Sequence, residues 1–155
     1  SQRLEIPRKE AKEIIDGYFA TYPGVRRYID RVIADAREKG YVATLFGRKR
    51  MLPDIRSGNA VVRALAERNA VNAPIQGGAA DIMKLAIIAV HRELGRRGLK
   101  SKIILQVHDE LVIDMLRSEE EQVRELVVRC MEDAAELRVR LIAECGVGAN
   151  WVEAH

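Results

Sequence analysis

Apolar residues recur every three or four positions through the first forty residues. Ala11, Ile14, Ile15 and Tyr18 do so after Pro7, and Val25, Tyr28, Ile29, Val32, Ile33 and Ala36 do so after Pro23-Gly24. That spacing predicts two amphipathic helices packed as a hairpin, the first opened by Pro7 and the second ended by Gly40. Tyr18, Phe19, Tyr22 and Tyr28 read as the packing of this pair. The pattern then changes period. Tyr41 to Leu45 predicts a strand, Gly47-Arg48-Lys49 a turn, and Arg50 to Leu52 a short return strand ended by Pro53. After Ser57, a candidate N-cap, helical spacing returns to about Val71, and Pro74 predicts a break. Gly77-Gly78-Ala79-Ala80 opens a strongly apolar helix from Ala79 to Leu94, expected to be largely buried, with His91 partly buried within it. Ser118 caps an acidic first turn and begins a helix to about Leu137, burying Val123, Leu126, Val127, Cys130 and Met131. Val139 to Cys145 alternates as another strand. The order defines an α+β chain, with a helical portion and a small antiparallel sheet covered by helices.

The stretch that stands apart is KIILQVHDELVIDML, Lys102 to Leu116. Two short β-branched runs meet at His108, Asp109 and Glu110, which predicts two buried strands with a charged turn between them. Carboxylates at the tip of a stiff ribbon suit Mg²⁺, a hard cation that takes one or two protein oxygens and leaves its other positions for water and phosphates. Acids are also ordinary turn residues, so the pair alone leaves both readings open.

Charge is compatible with the first reading but equally with solvated Arg-rich helix faces, and alone does not choose between them. The net charge of +3 is unevenly spread: residues 1 to 102 carry 21 Lys and Arg against 11 Asp and Glu, and residues 103 to 155 carry 5 against 12. A basic part joined to an acidic part fits a polyanion held beside a metal site. Two features could hold that polyanion. Arg48, Lys49 and Arg50 at the head of the first hairpin could reach a phosphate backbone or simply be solvated. Arg68, Asn72 and Gln76, four residues apart, fall on one face if the helix continues through Pro74; such side chains reach phosphates and base edges, and equally make an ordinary polar surface stripe. With 48% apolar residues the composition is that of a globular domain. No run of uncharged apolar residues approaches about 18, so no membrane segment or signal peptide is expected and a cytoplasmic location is. Cys130 and Cys145 show neither metal-site nor disulfide-framework spacing.

Five stretches together resemble the C-terminal part of the bacterial DNA polymerase I family, family A. They are IPRKEAKEIIDGYFATYPGVRRY, TLFGRKRMLPDI, NAPIQGGAADIMKLA, QVHDELV and GVGANWVEAH. The match runs in order along essentially the whole chain. The resemblance implies partial fingers over residues 1–74 and C-terminal palm with the QVHDE hairpin over 75–155. It implies that Asp109 binds the catalytic Mg²⁺ pair with Glu110 in support, and that Gln106 and His108 lie near the primer end. It also implies that Arg68, Asn72 and Gln76 contact template and primer in the minor groove. The partners implied are DNA primer-template, dNTP and the remainder of the polymerase chain. Gly78 stands where the family usually has Thr, and Arg140 where Pro is common.

The second metal-binding Asp and the dNTP-gripping Lys and Tyr of the family have no counterpart in these residues. The expectation is therefore a piece of a two-Mg²⁺ nucleotidyltransferase, inactive alone. Two rivals remain: a primer-template binding module without chemistry, and a structural unit that self-associates through exposed apolar surface.

Overall fold

The computed structural model describes residues 6–154. The chain divides into two compact units, Ser1–Ile75 and Gln76–His155; the sequence reading sets its boundary between 74 and 75.

In the first unit, Pro7 precedes α1 (Arg8–Thr21), and Pro23 supplies the first residue of α2 (Pro23–Lys39), where its missing N–H costs nothing. Gly40 closes α2 in the left-handed conformation at φ 76°, and strand β1 (Tyr41–Ala43) follows at once. β1 pairs antiparallel with β2 (Lys49–Met51), Val42 opposite Arg50. A single turn of 3-10 helix, Pro53–Arg56, then leads to α3. Its Arg56 guanidinium donates to the Arg37 and Glu38 carbonyls at the end of α2, which otherwise lack partners. The core here gathers Ala36, Val42, Leu52, Ile55, Ala66, Ala70 and Ala73. Four of these seven are alanine, so the elements lie close but bury little apolar area. The packing of α1 is looser than expected: Arg26 of α2 lies 5.4 Å from the Phe19 ring centre and Phe19 and Tyr28 are half-buried, but α1 buries no residue, and Ile14, Ile15, Tyr18 and Tyr22 are each at least half exposed. The aromatic side chains also contact one another, with Tyr18 edge-on to Phe19 at 5.6 Å.

The predicted break at Pro74 is also absent. α3 runs unbroken from Ala60 to Arg96 with Pro74 inside it. Proline forfeits one backbone hydrogen bond, and the turns on either side are held by side chains buried in each unit, Ala70 and Ala73 before it and Met83 and Ala86 after it. The N-cap is Asn59 rather than Ser57: Asn59 Oδ1 accepts from Val61 N at 2.9 Å, while Ser57 Oγ accepts from Asn59 N. The second half of α3 is buried on one face only. Met83, Ala86, Val90 and Leu94 are covered, whereas Leu85, Ile88 and His91 are exposed, as are Ala79 and Ala80. α3 contains a window of mean hydropathy 1.3, long and apolar enough by composition to cross a membrane, with 22% of it buried. Gly78 is buried, and a Cβ there would meet nothing within 4 Å.

In the second unit, β3 (Lys102–Val107) and β4 (Glu110–Asp114) form an antiparallel hairpin, with Lys102 opposite Asp114 and Val107 opposite Glu110. The register shifts between Ile103 and Leu105, and a bulge there leaves Ile104 62% exposed. The hairpin is half-buried rather than fully buried. Ile103, Leu111, Ile113 and Met115 pack on the core of Val90, Leu94, Val123, Leu126, Val127 and Cys130, which α3 and α4 (Glu120–Glu132) provide. α4 ends five residues before the predicted Leu137, and neither Ser118 nor any other side chain caps its start. Residues 139–145 form no ladder among the described residues. Alternation alone does not make a strand without a neighbour to pair with. Side chains hold this stretch instead: Glu132 accepts from Arg140 Nη2 at 3.0 Å and from Ala143 N at 3.3 Å. The chain closes in a short helix, α5 (Trp151–Ala154).

Candidate nucleic-acid and metal interface

The turn of the β3–β4 hairpin is only two residues long, His108 and Asp109. His108 carries a positive φ of 52°, the only such residue besides glycine among those described. Two-residue hairpin loops demand this conformation and usually take Gly or Asn for it. Gln106 steadies the loop, its Nε2 donating to the His108 carbonyl at 2.7 Å. Asp109 is left exposed at the apex, and its carboxylate takes no hydrogen bond from the described residues. Glu110 is not part of the turn: it opens β4 opposite Val107 and is half-buried.

The open end of the hairpin is tied by a carboxylate that the sequence reading missed. Glu119 accepts from Lys100 N at 2.9 Å, from Ser101 N at 2.9 Å and from Ser101 Oγ at 2.6 Å. Ser101 Oγ in turn accepts from Leu116 N at 3.0 Å. These donors, the Lys100 amide first, favour the charged form and hold the Glu119 carboxyl below its ordinary value. Nearby, the Arg96 guanidinium, assisted by Arg97, holds Glu93 down to about 2, and burial raises the Cys130 thiol.

Arg68, Asn72 and Gln76 are all exposed on α3. Arg68 and Asn72, four residues apart in the first unit, lie near one face of the helix, and Gln76 opens the second unit on the same helix. Arg48, Lys49 and Arg50 are exposed too, but they do not share a face. Arg48 lies in the turn, and Lys49 and Arg50, consecutive in β2, project to opposite sides of the ribbon. Lys49 Nζ sits 4.7 Å from the centre of the Tyr41 ring. Arg48 N donates to Thr44 Oγ1 at 3.2 Å, shaping the loop.

For a metal, the donor chemistry at the apex fits a hard cation, since an exposed carboxylate is an oxygen ligand that Mg²⁺ accepts. No group of three or more potential ligands occurs among the described residues.

The elements described make a two-unit α+β chain that presents an open carboxylate on a two-residue hairpin. The sequence profile of DNA polymerase family A covers residues 1–153, and the chain belongs to that family. Among its relatives are the DNA polymerases I of Pseudomonas aeruginosa, 52% identical over 155 residues, and of Streptococcus pneumoniae, 51% identical over 154. The chain is covered 100% and 99% respectively, but spans only 17% and 18% of those proteins. The POL domain of Pol1 from M. smegmatis, solved in complex with DNA primer-template and dNTP, is 44% identical and superposes with a TM-score of 0.96. That match covers 99% of this chain and 27% of the other.

Proposed function

We propose that this chain forms part of the polymerising centre of a template-directed DNA polymerase, which transfers a nucleotide from dNTP to a primer 3′-hydroxyl in DNA replication and repair. The observation that carries the reading is the exposed Asp109 carboxylate, fixed at the apex of a hairpin, in a chain so similar to a domain solved with primer-template and dNTP. Asp109 is the metal ligand in this reading, and Glu110, one residue into β4, supports it. Mg²⁺, when bound, supplies a lowered pKa for the primer hydroxyl and charge neutralisation at the pyrophosphate. Gln106 and His108 hold the apex beside the primer terminus. Arg68, Asn72 and Gln76 track the minor groove, and Arg48, Lys49 and Arg50 contact backbone phosphate. In this assignment residues 1–74 are fingers and 75–155 palm, and the protein works in the cytoplasm.

Asp109 gives one carboxylate platform, whereas a two-metal centre fixes two ions about 3.5–4 Å apart. The 155 residues by themselves therefore do not extend a primer. A primer-extension assay on the chain alone, repeated with the rest of a family A polymerase added in trans, tests this. Extension only in the mixture is expected; incorporation by the chain alone overturns it. A DNA-binding role without chemistry predicts no extension in the mixture either, with Asp109→Ala leaving DNA affinity intact and Gln76→Ala weakening it.

The exposed Ile14, Ile15 and Tyr18 of α1 and Tyr22 just after it favour a further property of the isolated chain, self-association through apolar surface. Light scattering is expected to give a mass above 17.4 kDa that falls when Ile14 and Tyr18 are made polar.

A further inference from the structure

We infer that Glu119, together with the buried Ser101, is a positioning residue for the Asp109 carboxylate, acting from the far end of the β3–β4 hairpin. This rests on the reading of Asp109 as a metal ligand. A two-stranded ribbon is only marginally stable without support, and this one is supported on one face only, by Ile103, Leu111, Ile113 and Met115 against the core. Its other face is open, with Ile104 and Leu105 exposed. Rocking about the packed face is therefore its softest motion.

At about 3.3 Å per residue, the six residues of β3 put the apex about 20 Å from the base. A tilt of roughly 3° at the base moves the apex by about 1 Å, a displacement that can cost about 100-fold in a positioned reaction.

The base is where one carboxylate intervenes. Glu119 takes three hydrogen bonds from Lys100 and Ser101, just before β3, and Ser101 Oγ takes one from Leu116 N, just after β4. Both feet of the ribbon are thus fastened to the residue that immediately precedes α4, the helix that carries Val123, Leu126 and Val127 into the core. Ser101 is the one buried polar residue among those described, 4% exposed. Its hydroxyl donates to Glu119 and accepts from Leu116, so it works as the rivet between the strands.

The test uses amide ¹⁵N relaxation on this chain, with Glu119→Gln, Glu119→Asp and Ser101→Ala beside Glu121→Gln, an exposed charge-loss control on α4. Glutamine leaves one acceptor oxygen facing three donors. The order parameters of residues 107–110 are expected to fall from about 0.85 toward 0.6 in Glu119→Gln, while those of 123–130 stay high. Ser101→Ala should give an intermediate fall, Glu119→Asp should restore part of the order, and the control should change nothing. Paramagnetic broadening of the Asp109 amide by MnCl₂ is expected to need roughly 10-fold more metal in Glu119→Gln. An apex that stays ordered in Glu119→Gln, or a fall shared equally by 123–130, overturns the inference. Absence of broadening in the unmodified chain would instead refute the metal reading, and the relaxation data would still decide the role of Glu119.

Discussion

The β1–β2 ribbon pairs three residues with three and closes through the five residues 44–48, whereas β3–β4 pairs longer strands and closes through two. The first carries exposed cations pointing to both sides and no buried residue in β2. The second carries one exposed carboxylate on a loop with a strained His108, a Gln106 brace and a carboxylate clamp at its base. The difference follows from what each must do in the proposed function. Attraction to a phosphate backbone needs charge within reach and tolerates loose geometry, while a metal ligand must be held to within a fraction of an ångström. Rigidity is invested where the chemistry is directional.

The largest effect that would break this contrast is in the core beneath the second hairpin. Leu126 is fully buried, and Leu126→Ala should destabilise the second unit by about 3–4 kcal/mol, read by chemical denaturation. A similar loss from Met51→Ala, whose side chain is 67% exposed, would mean that the first hairpin is equally anchored; well under 1 kcal/mol is expected. Next comes the basic ribbon. Replacing Arg48, Lys49 and Arg50 together by alanine should lower the slope of log affinity for primer-template against log salt by roughly 2, and Arg→Lys replacements should leave it nearly intact. Asn59→Ala, which removes the N-cap of α3, should cost about 1 kcal/mol of unfolding free energy.

The smallest effect is electrostatic. The folded carboxyl of Glu119 lies below its ordinary 4.5, so its contribution is fully present above that value and is lost as pH falls through the lowered folded value. Protection factors of the Lys100, Ser101 and Leu116 amides, their exchange measured against the intrinsic rate at each pH, should therefore fall as pH drops below 4.5 in the unmodified chain. In Glu119→Gln protection at these amides should be low throughout, with no such transition.

The hairpin and its acidic corner were legible in the sequence because β-branched runs and a charged interruption signal strands and a turn without knowledge of partners. Arg68, Asn72 and Gln76 were legible as a stripe only on the condition that α3 continued. Pro74 argued against that condition, and the buried side chains on both sides of it prevailed. Three features were hidden for a common reason, since each depends on a contact remote in sequence. The Glu119 clamp joins residues 18 and 19 positions away through backbone amides, which carry no residue-type signature; the acid run after Ser118 read as a helix start. The alternation of 139–145 specified faces but no neighbouring strand. The apolar stripe of α1 specified a face but nothing to cover it, and Ile14 and Ile15 stand open.

The central claim is that the apex carboxylate of the second hairpin binds a divalent cation. Selective ¹³C observation of the Asp109 side-chain carboxyl during a Mg²⁺ titration tests it most directly. The account predicts a saturable shift of that resonance, absent for exposed carboxylates on α4 such as Glu121. A carboxyl resonance that does not respond, or one that moves no more than Glu121, would contradict it.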